Sequence, residues 1–330
     1  MKPSELPASA GEPYNASPPP RHARSGNARI KRPRSAKAGQ PSNVLGAVIT
    51  YNPGDDLAAN LTAIRRQIGR VLVIDNGSRD IDAIRQIAEA AGCELIRNPE
   101  NLGVATALNQ AARVAQTEGF EWLATFDHDS LIHPGAIEGL LAVQAAHPAP
   151  DRIAILAMSH VDRATGRDYL RSWDVIEDAP TWRSVRTTIT SGSLTKVSVF
   201  DTVGLFDEGL FVDSVDHEFC LRCRRHGLLI IEGRAQLMDH SMGAGEARRL
   251  FGRTVVCGHH APVRRYYIMR NQLEVCRRYL RVDPTWAGRA MADLMGNSAA
   301  VLIFEDHKAA KLGAMLEGAW DFARRRFGPR

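Results

Sequence analysis

The sequence predicts an α/β fold, a mostly parallel central sheet with helices on both faces. Three observations carry this. Short, nearly continuous apolar runs recur at residues 44–50, 71–74, 94–96, 122–126 and 153–158. Stretches with apolar residues at helical spacing separate them. Polar loops containing Gly or Asn follow the strands, which gathers those loops at the carboxyl edge of a parallel sheet.

Residues 1–42 precede the first strand. They are rich in Pro, Ser, Ala and Arg and show no hydrophobic period, so a disordered basic tail is expected. The strand 44–50 runs into the turn Tyr51-Asn52-Pro53-Gly54. Leu57, Leu61, Ile64 and Ile68 then share one helical face, and Gly69 stops that helix. The second strand ends in Asp75-Asn76-Gly77-Ser78, and Ile81, Ile84 and Ile87 mark a second helix. The third strand leads to Asn98-Pro99 and Asn101-Leu102-Gly103. Residues 104–115 form a helix dense in Ala and able to pack closely.

The fourth apolar run, 122–126, ends abruptly in two carboxylates one residue apart, Asp127 and Asp129. Alternate residues of an extended chain face the same side, so both acids can address one point. A hard divalent cation would suit them. The competing reading is a pair of loop acids, with Asp129 capping the next helix. Pro134 fits the first turn of that helix, which runs to about residue 146. The loops 50–52, 75–78, 98–103 and 127–130 are thus expected to line one cleft.

The second half carries weaker signals. Residues 160–186 read as irregular, and Thr190-Ser191-Gly192-Ser193 follows. Asp213, Asp216 and Glu218 form an acidic cluster at the start of a basic helix, 216–226, stopped by Gly227. One of these acids could be a general base; alternatively Asp216 is an N-cap and Glu218 pairs with Arg222. Short strands are expected at 228–231 and 235–238, the latter ending in Asp239-His240. His240 is either a third metal ligand or a surface His. From Pro262 the chain turns helical, and residues 264–330 hold thirteen Lys/Arg against seven Asp/Glu. Arg264, Arg265 and Arg270 could bind a diphosphate, or make a solvated or lipid-facing basic surface.

Composition narrows the class. The net charge is +5, yet residues 1–42 alone hold eight Lys/Arg and two Glu, so the remainder sums to −1. That gives little support to nucleic-acid binding by the fold. Five cysteines, an odd number, point to a reducing compartment. No signal peptide is visible, and the longest apolar run, 294–304, is interrupted and short of the ~20 residues that span a bilayer. A cytoplasmic protein is expected, with contact to the inner membrane face left open. There is no Gly-x-Gly-x-x-Gly after the first strand, no phosphate-binding loop ending in Gly-Lys-Ser/Thr, and no Gly-x-Ser-x-Gly. Cys220-x-x-Cys223 would allow zinc, but it falls inside a predicted helix, where Cys is often a small buried hydrophobe.

The motifs in order resemble the family 2 glycosyltransferases of GT-A fold. They are Val48-Ile49-Thr50-Tyr51-Asn52, Val73-Ile74-Asp75-Asn76-Gly77-Ser78, Asn101-Leu102-Gly103-Val104-Ala105 and Asp127-His128-Asp129-Ser130. The later stretch from Asp207 to Arg222, with Asp239-His240-Ser241-Met242-Gly243 and Arg265 to Asn271, resembles the bacterial rhamnosyltransferase branch. The resemblance covers about residues 44–275. It implies a GT-A domain at 43–245, divided into a nucleotide-sugar half (43–159) and an acceptor half (160–245), followed by an Arg-rich helical region at 246–330. Asp127 and Asp129 would be the Asp-x-Asp motif holding Mg or Mn, with His240 as a further ligand. Thr50, Tyr51, Asn52, Asp75, Asn76, Asn101, Gly103 and Asp127 would bind the nucleotide-sugar. Ser191, Gly192, Asp213, Glu218, Arg270 and Asn271 would serve the acceptor or a diphosphate, and Asp216 would be the catalytic base. His128 departs from the Gln expected between the two acids. The implied reaction is inverting transfer of a sugar, rhamnose from dTDP-rhamnose first, onto a cell-surface glycan or polyprenyl-diphosphate-linked acceptor. Galactofuranose or glucose transfer, or non-catalytic nucleotide-sugar binding, are the alternatives.

Overall fold

The computed structural model describes residues 41–162, 170, 172–240, 246–250 and 253–330. Nearly all of the expected tail, 1–42, lies outside the described residues.

The first half alternates β1 (Val44–Thr50), α1 (Leu57–Gln67), β2 (Arg70–Asp75), α2 (Ile81–Ala90), β3 (Glu94–Arg97), α3 (Val104–Glu118) and β4 (Trp122–Asp127). There follow β5 (Leu131–Ile132), α4 (Ala136–Ala146) and β6 (Ile153–Asp162). The second half adds β7 (Val175–Asp178), β8 (Trp182–Val185), β9 (Ser193–Lys196), α5 (Val199–Val203), α6 (Val215–Arg225) and β10 (Leu229–His240). A hairpin of β11 (Glu246–Leu250) and β12 (Arg253–Cys257) precedes α7 (Pro262–Tyr279), α8 (Pro284–Phe304) and α9 (Lys308–Ala323).

The main sheet has the order β3-β2-β1-β4-β9-β6-β10-β8-β7, with β5 paired to β10. β3, β2, β1 and β4 are mutually parallel, and so are β6 and β10. β9 runs antiparallel between β4 and β6. All seven residues of β1 are buried, as a strand covered on both faces requires. Leu45, Ala47 and Ile49 join a core with α3, α5, α6, α7 and α8, whereas Val44 and Val48 join one with α1, α2 and α4. The alanines of α3 (Ala105, Ala107, Ala111, Ala112, Ala115) lie flush on the sheet.

The differences from expectation fall in the second half. Residues 160–186 contain β7 and β8, short antiparallel strands at the far edge of the sheet. The apolar signal is weak there because the outermost strand buries none of its four residues. β9 is a central strand, yet three of its four residues are Ser, Thr and Lys, so it carries no apolar run. The two short strands expected at 228–231 and 235–238 are one, β10, with register shifts at its polar middle, Glu232 to Gln236.

The C-terminal helices form a layer over the core that holds α3 and α6. α7 and α9 approach closely because Gly318 has no side chain: a Cβ there would lie 2.4 Å from the Tyr266 carbonyl oxygen. The layer contains a buried charge triad, in which Glu305 accepts from Arg265 (2.6 Å) and Lys311 (2.7 Å). Among the described residues, no helix is long and apolar enough to cross a membrane.

Candidate active site

The parallel register places the first polar groups. Thr50 stands beside Asp75 across β1 and β2, and Ile49 beside Asp127 across β1 and β4. The carboxyl ends of the three strands therefore open onto one edge. Asp75 is fully buried. One of its oxygens accepts from the hydroxyls of Thr50 (3.1 Å) and Ser78, the other from the backbone N–H of Gly77 (3.2 Å) and Ser78 (3.0 Å). Ser78 Oγ in turn accepts from Asn52 N–H, 2.7 Å. Gly77 is obligatory there: φ is +81°, and a Cβ would sit 2.6 Å from the Glu100 carbonyl carbon.

Amides extend the edge. Asn76 donates to Asn101 Oδ1 (3.2 Å) and accepts from Asn98 (3.0 Å) and Leu102 N–H (3.3 Å). Asn101 Oδ1 also accepts from Gly103 N–H, 3.0 Å. Gly103 has φ +85°, and a Cβ would fall 2.6 Å from the Phe211 carbonyl oxygen. This is where the loop before α3 meets the loop before α6. Tyr51 presents a half-exposed ring at the rim.

The Asp127-His128-Asp129 turn is partly exposed, while Ser130 is buried. Asp127 N–H donates to Ser191 Oγ (3.0 Å), which is also 2.7 Å from Ser130 Oγ. Gly192 N–H donates to Thr125 O, and a Cβ on Gly192 (φ +71°) would lie 2.8 Å from Met238 Sδ. On the other side Asn60 donates 2.6 Å to His128 O. In the sequence Asn60 is a lone amide inside the apolar stripe of Leu57, Leu61 and Ile64, a position that buries it. β5 pairs Leu131 with Asp239, so the backbone of His240 runs beside Ser130. The His240 side chain lies outside the described residues.

Among the described residues no group of three or more His, Cys, Asp or Glu is arranged to hold a metal. Asp127 and Asp129 nevertheless supply two carboxylates on one partly exposed turn. With phosphate and water oxygens they would make an oxygen donor set of the kind that fits Mg or Mn.

The second acidic cluster stands on strained backbone. Phe211, Asp213 and Ser214 have φ of 65°, 61° and 62°. Asp213 pairs with Arg264 at 3.1 Å, and its other oxygen is buried without a partner among the described residues. Burial pushes the Asp213 carboxyl above its ordinary value despite Arg264. Asp216 lies in the first turn of α6, accepts from His217 N–H (2.8 Å), and lines a small cavity with Thr125, Thr190 and Ser193. Arg264 connects the two clusters. Its guanidinium is held above its ordinary pKa chiefly by Asp213, with Asp127 and Asp216 adding to the effect.

The sequence profile described as Glycosyl transferase family 2 matches residues 47–204. The dTDP-rhamnosyl transferase RfbF of Shigella flexneri is 30% identical over 251 residues, covering 72% of this chain and 81% of that protein. The chain belongs to glycosyltransferase family 2. Solved structures agree on the fold. GalNAc-T7 with UDP, GalNAc and Mn2+ superimposes with a TM-score of 0.53 at 13% identity, covering 88% of this chain and 59% of that one. S. aureus TarS 1–349 in complex with UDP-GlcNAc gives 0.52 at 15% identity, covering 86% and 81%.

Four residues expected to touch ligand in this glycosyltransferase are turned inward instead. Asp75 is saturated by its own loop, so it shapes the edge. Glu218 is buried against Arg222 (2.7 Å) and accepts from the Tyr279 hydroxyl (3.0 Å). Arg270 and Asn271 donate to backbone carbonyls of the 209–213 loop and to Gly328. A buried donor already shared among carbonyls is not available to a diphosphate. The Cys220 and Cys223 thiols are buried, and burial pushes Cys223 up to about 12, so neither offers a thiolate.

Proposed function

We propose that this glycosyltransferase is inverting and divalent-metal-dependent, and that it moves rhamnose from dTDP-rhamnose to a cell-surface glycan carried on a lipid-linked acceptor. The rhamnose and the deoxythymidine nucleotide rest on the relative, whose printed activity is that of a dTDP-rhamnosyl transferase. The reaction class rests on membership of family 2, and within the site on one observation, that the end of β4 and the start of α6 meet at one small cavity, lined by Thr125 and Asp216.

The parts divide as follows. Residues 43–159 bind the nucleotide-sugar, with Thr50 to Asn52, Asn76, Asn101 and Gly103 shaping the cleft. Asp127 and Asp129 would hold Mg or Mn, which when bound offsets the charge that builds on the departing diphosphate. Residues 160–245 receive the acceptor. Asp216 takes the proton of the acceptor hydroxyl, making it a competent nucleophile. One displacement at a carbon of oxocarbenium character inverts the centre and needs no enzyme nucleophile. Arg264, paired with Asp213 at 3.1 Å, offers a cation to a donor or acceptor phosphate. The Arg-rich region 246–330 favours peripheral contact with an anionic membrane face.

The reading is tested by calorimetric titration of dTDP-rhamnose against a panel of UDP-sugars, with Mn2+ and with EDTA. The expected result is metal-dependent binding of dTDP-rhamnose, lost in Asp127→Ala with Asp129→Ala. Tight binding of another donor instead, or retained metal-dependent binding in the double variant, would defeat it.

A further inference from the structure

The loop between α5 and α6 follows a path its residues do not favour. Phe211, Asp213 and Ser214 all have left-handed backbone, and none is Gly or Asn. Such a path persists only where the surroundings over-determine it.

Two side chains of α7 provide the surroundings. Asn271 is fully buried, and its amide nitrogen donates to the carbonyls of Leu210 (2.7 Å), Val212 (2.7 Å) and Asp213 (3.0 Å). Its oxygen accepts from Arg270 Nε (2.9 Å), which fixes the orientation of the amide. Arg270, 1 % exposed, donates to Gly209 O (3.2 Å), Leu210 O (3.3 Å) and Gly328 O (2.8 Å). The rings of Tyr266, Tyr267 and Phe327 surround its guanidinium at 5.3, 5.0 and 5.4 Å. The loop is also met at Phe211, by α7 and by the start of α3. Phe211 stacks on Tyr267, its carbonyl accepts from Ala105 N–H, and Gly103 leaves room for it.

We propose that Arg270 and Asn271 are positioning residues for sugar transfer. They hold the strained turn 209–214, so that Asp213 stays paired with Arg264 and Asp216 keeps its place at the cavity lined by Thr125 before substrate arrives. This inference rests on Asp216 being the base. Neither residue is placed to touch substrate. Both act through the backbone of the loop.

The test uses the full chain with Asn271→Ala and, in parallel, Arg270→Lys. A loop displaced by about 1 Å can cost ~100-fold in turnover, so kcat should fall by about that factor. Nucleoside-diphosphate affinity should hold, because the β1, β2 and β4 edge is untouched. Amide exchange should speed up in 210–214 and stay unchanged in 75–78. Adding Ser214→Gly to Asn271→Ala should restore part of kcat, because glycine accepts left-handed backbone unaided. Unchanged kcat, or equal losses of kcat and nucleotide affinity that track a lower Tm, would overturn the proposal. If Asn271→Ala does not fold, Arg270→Lys is read in the same way. Turnover by Asp216→Asn at the wild-type rate would defeat the functional reading instead. In that case exchange decides the clamp alone, and unchanged protection of 210–214 sinks it.

Discussion

The two halves of the cleft, proposed above to take donor and acceptor, are built by different means. On the donor side the polar groups come from the ends of adjacent parallel strands. Register puts Thr50 beside Asp75 and Ile49 beside Asp127, and bonds within and between the loops, Asp75 to Ser78 and Asn76 to Asn98 and Asn101, finish the edge. On the acceptor side no strand delivers Asp213 or Asp216. A strained loop does, and its carbonyls are held by side chains of α7, about sixty residues further along the chain. The first design makes the site as stable as the sheet. The second makes it depend on packing from a separate layer, and leaves it open to separate perturbation.

The sharpest way to break this comparison is Asp216→Asn. The substitution keeps size and removes the proton acceptor. Transfer should fall by roughly 10²–10⁴-fold, the range ordinarily carried by a positioned general base. Donor binding, which belongs to the other side, should stay within about twofold, well under the tenfold that 1.4 kcal/mol represents. Titration calorimetry beside a product assay checks both. Turnover at the wild-type rate would remove Asp216 from the chemistry.

The same contrast explains what could be read in advance. The strands β1, β2 and β4 are almost wholly buried, and β3, which buries none of its residues, still carries the pair Leu95-Ile96, so each shows an apolar run with a turn motif at its end, and the edge residues were legible as a set. β9 was not, because a central strand of Ser, Leu, Thr and Lys has no apolar run to read. β7 was missed because it buries none of its residues, and β8 because its run Trp-Arg-Ser-Val, though mostly buried, is broken by Arg183 and Ser184. The inward roles of Arg270 and Asn271 were not legible either. A polar pair on a helix gives no sign of which distant carbonyls it will meet. Asp75 lay between these cases. The Asx-turn signal of Asp-Asn-Gly-Ser was present; the turn it describes uses one carboxylate oxygen, and the Thr50 and Ser78 hydroxyls take the other.

A smaller effect is expected from the support layer. Glu305 is buried between Arg265 and Lys311 and also accepts from His259 N–H. Glu305→Gln leaves two buried cations short of a partner, which should cost about 3–5 kcal/mol of stability. The pH dependence has a definite sign. Burial alone would push the Glu305 carboxyl up, but Lys311 and Arg265 hold it below its ordinary 4.5. Its contribution is therefore present above pH 4.5 and lost as pH falls through the lowered value. Burial, then Arg264 and Arg265, push His260 down to about 4 from 6.5. The unfolded chain takes up that proton first, so stability should start to fall below pH 6.5 and keep falling to about 4. A Tm series from pH 7 to 4 checks this: Glu305→Gln should lower the whole curve and flatten only its most acidic part. A Tm that rises on acidification would mean that the layer is not held by these charges.

The mildest test asks whether the donor side is as self-sufficient as its register makes it. Ser191 comes from the loop before β9, outside the β1–β4 unit, yet its hydroxyl accepts from Asp127 N–H and bonds Ser130 Oγ. It is the kind of outer partner that fixes a ligand's orientation rather than binding metal itself, and losing such a partner commonly weakens metal affinity 10–100-fold. Here the strand register already fixes the Asp127 backbone, and Asn60 fixes His128 from the other side. Ser191→Ala should therefore fall at the low end, about tenfold in Mn2+ affinity measured with nucleoside diphosphate present. The nucleotide's own affinity without metal should not change. A loss of 100-fold would mean that the Asp-x-Asp turn, like the Asp213–Asp216 loop, is held from a distance, and the two halves would then differ in degree rather than in kind. No loss at all would leave the turn to the strand and Asn60 alone.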